Sequence, residues 1–392
     1  MAGEVAALQA ELRAATLDRK QARNELALLR TLEPRIRAAG YLPLEANWQS
    51  KLATALQRTG DLEGARNALA AWARTADVAG DDEARVRALI SQLRLEFEVG
   101  NFDVAEIERS AEAAARRFGN PRITMELLSS QAMIRYGRGD HAGALAAIRE
   151  AVSVFEAVAI DAHGQLVTAL QNRGGIEQGA GDLRAARRSL DEGYALARRR
   201  FGEDDPATVE LRGARATNLM YSGDLTAARP ELEAVATSFV RLLGEKHPQV
   251  AMARTFLCEA DLARDPSSAG ASCDRAMATF ELVYGRGHPQ TVWAISLVGK
   301  QRVATKHYDQ AISALERALS IADTGTISPM ERPATQAYLA LALHGAGRDR
   351  TRAVALAREA LKALATDQRS QDVVALLRAT FPIDDHKSPR DR

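Results

Sequence analysis

A small residue returns along this chain every 39 to 42 positions: Ala65, Ala105, Ala144, Ala186, Ala228, Ala269, Ala311 and Ala353. Shortly before most of these stands a turn signature: Gly60-Asp61, Gly100-Asn101, Gly139-Asp140, Gly181-Asp182 and Gly223-Asp224. A second mark keeps nearly the same beat in the gaps, at Gly40, Gly80, Gly119, Gly202, Gly244, Gly285 and Gly325. Two turn signals per period, with helically spaced apolar residues between them, describe stacked helical hairpins. Each hairpin buries its apolar faces against its neighbours, so a length of 392 residues does not by itself imply several separate cores.

One repeat shows the logic. Val209, Leu211, Ala214, Leu219 and Met220 have helical spacing before Gly223-Asp224. There Gly tolerates a positive φ that ends one helix, and Asp accepts a hydrogen bond from a free N–H of the next. Leu225, Ala228, Leu232, Val235 and Phe239 then recur every three or four residues up to Gly244. The Ala228 position is small because two helices joined by a short turn cross closely there. A second small position lies seven residues further on, at Ala151, Gly193, Ala276, Ala318 and Ala360. Repeating this reading predicts an all-α chain of about eight antiparallel helix pairs. The pairs are 42–59 with 62–79, 81–99 with 102–118, 121–138 with 141–158, and 162–180 with 183–201. They continue as 206–222 with 225–243, 248–264 with 267–284, 289–305 with 308–323, and 330–346 with 349–365. A last helix at 369–380 caps the apolar end. The expected organisation is a helical cap or short coiled coil in 1–40, a solenoid over 41–380 and a disordered tail in 381–392. Val5, Leu8, Leu12, Ala15, Ala22, Leu26 and Leu29 fit a heptad, with Arg19 on its seam, so 3–38 is either a degenerate hairpin or a coiled-coil arm.

Composition narrows the function classes. Fifty-two basic against 51 acidic residues give a net charge of +1, so no strong field draws nucleic acid or anionic lipid. No stretch reaches the run of about 20 apolar residues of a membrane span, and charges at Glu11 and Arg13 interrupt any signal-peptide core. A cytoplasmic location, with no membrane and no nucleic-acid partner, is expected. The preference for Arg over Lys suggests a GC-rich bacterial genome. Cys258 and Cys273 are too few for a disulfide framework and say little about redox compartment, and both are expected to pack in the core.

The turns between repeats carry a resemblance. They read Phe201-Gly202-Glu203-Asp204-Asp205-Pro206-Ala207-Thr208, Leu243-Gly244-Glu245-Lys246-His247-Pro248-Gln249-Val250 and Tyr284-Gly285-Arg286-Gly287-His288-Pro289-Gln290-Thr291. This resembles the G-x-x-H-P-x-T/V turn of kinesin-light-chain-type tetratricopeptide repeats, most strongly over 180–325. The segments Gly40–Ala46 and Gly347–Ala353 are also similar to the C-terminal repeat region of bacterial serine/threonine protein kinases. The resemblance implies a right-handed superhelical solenoid whose first helices line a concave groove for a protein or peptide. In the second reading, the same groove serves a sensory or regulatory region of a kinase or transcription regulator.

Catalytic signatures are absent. There is no phosphate loop, no G-x-G-x-x-G after a strand, no H-E-x-x-H, no C-x-x-C and no kinase H-R-D or D-F-G. No enzymatic activity, cofactor or metal is expected. His247 and His288 recur with the repeat and read as turn residues. Gly174-Gly175, inside a helix, reads as a close contact or a weak spot.

Carried over by position, the resemblance places Gln171, Gln178, Thr217, Thr255, Glu259, Trp293, Ser296 and Lys300 on the groove-lining helices. The Asn pair usual in such grooves is reduced to fragments such as Asn172. Arg173 and Arg215 stand 42 residues apart, as do Arg212 and Arg254, all at positions where the repeat expects apolar residues. A buried guanidinium must be paired. Either each pairs with a neighbouring carboxylate, or the four form a ladder in the groove that forks onto carboxylates or phosphates. The ladder would select an acidic or phosphorylated protein or peptide. Homo-oligomerisation through the N-terminal helices is a further expectation.

Overall fold

The computed structural model describes residues 2–15, 22–158, 163–323, 331–365 and 370–382. Arg19, the Gly325 turn and the expected tail from 383 onward lie outside the described residues. The chain divides into two compact units, Met1–Ala180 and Gly181–Arg392. The first contains α1 (Ala2–Ala15), α2 (Ala22–Ala38), α3 (Leu42–Thr59), α4 (Leu62–Ala79), α5 (Asp82–Glu98), α6 (Ala105–Phe118), α7 (Pro121–Gly137), α8 (His141–Val158) and α9 (His163–Gly179). The second contains α10 (Leu183–Phe201), α11 (Pro206–Tyr221), α12 (Leu225–Leu243), α13 (Pro248–Arg264), α14 (Gly270–Tyr284), α15 (Thr291–Ala304), α16 (Tyr308–Ala322), α17 (Glu331–Gly345), α18 (Arg350–Leu364) and α19 (Gln371–Thr380). No strand occurs among the described residues. The expected pair 162–180 with 183–201 straddles the division, its first helix falling in one unit and its second in the other.

The helix ends follow the turn chemistry. Gly223 has φ 84°, and the Asp224 carboxylate accepts from the Ala227 N–H at 3.0 Å. Asp61, Asp140 and Asp182 cap α4, α8 and α10 in the same way. The Gly100-Asn101 turn differs. There the Asn101 side chain donates to Glu96 at 2.7 Å and accepts from Asp103, so it is not a cap and α6 starts only at Ala105. Ala105 is consequently exposed instead of forming part of the small-residue spine, and Val104 is buried in its place. The other spine residues, Ala65, Ala144, Ala186, Ala228, Ala269, Ala311 and Ala353, are fully buried.

The core is a chain of local clusters, as stacked hairpins require. In the first unit, Leu8, Leu12, Leu29, Leu32 and Ile36 bury against Leu44 and Trp48 of α3, and the Trp48 indole N–H donates to the Leu29 carbonyl. The heptad-like seam of α1 and α2 is therefore occupied within the chain. In the second unit, Val373, Val374, Leu377 and Phe381 of the C-terminal segment cover α17 and α18. Each such side chain contributes about 1.5–3 kcal/mol on burial. First helices of successive pairs pack on one another, α5 on α7 and α7 on α9 in one unit, α13 on α15 and α15 on α17 in the other. Successive second helices touch at most marginally, leaving wedges between them floored by a first helix.

The two cysteines do pack in the core, and the structure adds a bond between them. Cys258 and Cys273 are fully buried in a core cluster and are joined as a disulfide, with their Cα atoms 4.7 Å apart. They face each other where α13 and α14 cross, at two small-residue positions that bring the backbones within disulfide range.

Candidate functional site

In the second unit the first helices α13, α15 and α17 present a row of half-buried side chains, Phe256, Glu259, Trp293, Ser296, Lys300 and Tyr338, with Thr335 buried beneath it. Phe256 meets Trp293 edge-on with ring centroids 5.4 Å apart. The Ser296 hydroxyl lies 2.7 Å from that of Thr335. Because Thr335 donates to the Glu331 carbonyl, Ser296 is the donor between them. Lys300 sits over the Tyr338 ring at 5.7 Å, a cation–π arrangement. Burial raises the Tyr338 pKa, with Lys300 pulling it down and Glu259 and Asp372 acting the other way. Glu259, Trp293, Ser296 and Lys300 are thus brought to one face.

Other expected residues are placed differently. Thr217 and Thr255 are buried, and their hydroxyls donate to Gly213 and Ala251 of their own helices. Gln171, Arg173 and Gln178 lie half-buried on α9, with Arg173 Nε 4.0 Å from Glu177 Oε1.

All four arginines of the expected ladder have carboxylates beside them. Arg212 Nε donates to Glu231 on α12 at 2.6 Å, which raises the Arg212 pKa and lowers that of Glu231. Arg215 Nε donates to Asp191 on α10 at 2.6 Å. Arg254 donates to Thr279 and Glu245. Arg212 and Arg215 therefore extend toward the second helices, where with Arg187, Tyr194, Glu203 and Pro230 they line a cavity of about 670 Å³.

Sequence reasoning missed the partners Phe256, Thr335 and Tyr338, although Glu259 and Lys300 stand 41 residues apart and repeat arithmetic could have extended the row. It also missed Arg187 and Tyr194, which share no motif. Among the described residues, no group of three or more His, Cys, Asp or Glu could hold a metal ion, and no helix is long and apolar enough to cross a membrane.

No family model matches the chain, and no curated protein matches it. Solved structures do. A Rap protein complexed with competence and sporulation factor superposes with a TM-score of 0.62 at 15% identity, covering 86% of this chain and 90% of that one. A signal transduction ATPase with a tetratricopeptide repeat sensor, from Pyrococcus horikoshii, gives 0.55 at 12% identity over 93% of this chain and 56% of that one. The Cut9–Hcn1 hetero-tetramer of the APC/C gives 0.54 at 13% identity, covering 92% and 64%. At these identities the similarity is one of fold: the chain has a tetratricopeptide-like helical-repeat fold.

Proposed function

We propose that this protein is a non-catalytic binding scaffold that holds a protein or peptide on the first-helix face of α13, α15 and α17. The supporting observation is the row Phe256, Glu259, Trp293, Ser296, Lys300 and Tyr338, which advances one helix pair at a time. Aromatic edges supply apolar contact, the Ser296 hydroxyl can bond a peptide backbone, and Lys300 favours an acidic residue. Two of the structural relatives were solved in complexes, one with a factor and one with a partner subunit. A photo-crosslinker placed at Ser296 tests this reading. Crosslinks should gather on one partner and vanish in a folded Trp293→Ala/Lys300→Ala variant; the same products from that variant would reject the face as the site.

A second reading is a sensory region acting on a kinase, ATPase or transcription regulator. It is favoured by the similarity to a tetratricopeptide sensor. Its test is whether the partner crosslinked at Ser296 is an effector enzyme whose activity changes on binding.

A further inference from the structure

We propose that the cavity between α10, α11 and α12 is a binding site for a phosphate monoester, separate from the first-helix face and independent of the reading given for it. The cavity lies in a wedge between successive second helices, over the first helix α11. It measures about 670 Å³, within the range of small-ligand pockets.

The donor inventory points to a tetrahedral oxyanion. Arg212 and Arg215 stand one turn apart on α11, so both project to the same side. Each engages its carboxylate through Nε alone, and among the described residues neither has an acceptor at its two terminal nitrogens. The Arg215 guanidinium carbon lies over the Tyr194 ring, 4.5 Å from its centroid, while the Tyr194 hydroxyl donates to Glu203 at 3.0 Å. Asp191 reaches both Arg215 and Arg187. The carboxylates thus orient the arginines from the side and leave the forked ends in the cavity. A planar carboxylate satisfies one fork, whereas the three terminal oxygens of a phosphate monoester accept from two forks and from Arg187. Ala216, Leu219, Ala227 and Pro230 complete the lining and suit an apolar body attached to the phosphate.

Equivalent wedges show that this chemistry does not come from the fold alone. In the first unit, the wedge between α6 and α8 over α7 holds a cavity of about 520 Å³ lined by Ala115, Leu127, Leu128 and Val154 with a single arginine, Arg116, beside Glu112. One repeat after the arginine cavity, Arg254 replaces Arg212, but both its terminal nitrogens are engaged, by Thr279 and Glu245. Leu257 and Ala236 there occupy the positions of Arg215 and Tyr194, 42 residues on.

Calorimetric titration of the full chain with phenyl phosphate, adenosine monophosphate and a phosphoserine peptide tests the assignment. At least one should bind, and Arg212→Gln/Arg215→Gln should weaken it tenfold or more. Arg212→Lys/Arg215→Lys keeps the charge without the forks, gives an intermediate loss and guards against misfolding of the Gln variant. Asp191→Asn removes the carboxylate that orients Arg215 and Arg187 and should weaken binding severalfold; unchanged affinity would show that this pairing does not position the forks. Affinity should rise from pH 5.5 to 7.5 as the monoester becomes a dianion, with its second pKa near about 6. Lys300→Ala should leave binding unchanged. Binding of the peptide alone identifies a modified partner as the source, and binding of the free monoesters identifies a small molecule; both support the site. No binding by any probe at millimolar concentration, or equal affinity in wild type and the Lys and Gln variants, overturns it.

Discussion

At the residue scale, His247 shows how a recurring turn residue earns its place. Its Nδ1 accepts from the Gln249 N–H at 3.2 Å, so the imidazole caps α13 only while that nitrogen is unprotonated. His288 accepts in the same way from Gln290. Burial lowers both pKa values from 6.5. A lowered folded-state value means that the contribution to stability is present above the unfolded pKa and is lost as pH falls from 6.5 through the folded value. His247→Asn keeps a side-chain acceptor without titrating, so its urea midpoint should fall less than that of wild type between pH 7 and 5. Glu331 has the opposite sign. Burial raises its pKa from 4.5 to about 7, so its contribution is full below 4.5 and is lost as pH rises through 7. Glu331→Gln should be more stable than wild type by on the order of 2 kcal/mol at pH 8 and show no advantage at pH 4. Parallel pH profiles would refute the assignment.

At the element scale, α9 carries a removable weakness. Gly175 is exposed in the helix interior, and a Cβ added there meets nothing within 4 Å. Gly175→Ala should therefore stabilise the first unit by about 0.5–1 kcal/mol, read as slower amide exchange along α9; no change would place the cost elsewhere. Helix ends were legible in sequence because they depend on residues three or four positions away. α3 and α4 begin and end where Gly60-Asp61 and Gly80 require, whereas α6 starts late because Asn101 turns toward Glu96. That choice between two local hydrogen bonds is not written in the Gly-Asn pattern.

At the scale of the whole molecule, the Cys258–Cys273 bond pins one hairpin of the second unit. It closes a loop with a sequence separation of 15, which corresponds to about 3 kcal/mol of chain-entropy stabilisation. Reduction, or Cys273→Ala, should speed exchange of buried amides in α13 and α14 by a factor matching a loss of about that size; unchanged protection would mean that packing alone holds the hairpin. Sequence by itself determined the all-α repeat, its period and most helix limits, since turn residues and apolar spacing act over a few positions. Glu259, Trp293, Ser296 and Lys300 of the candidate face were named only through the resemblance, carried over by position. Only the tertiary structure decided that Arg212 and Arg215 reach α12 and α10, that Thr217 and Thr255 turn inward, and that two cysteines meet. Those outcomes depend on how far each helix is rotated and slid against its neighbour, which packing of many side chains sets together and no single motif encodes.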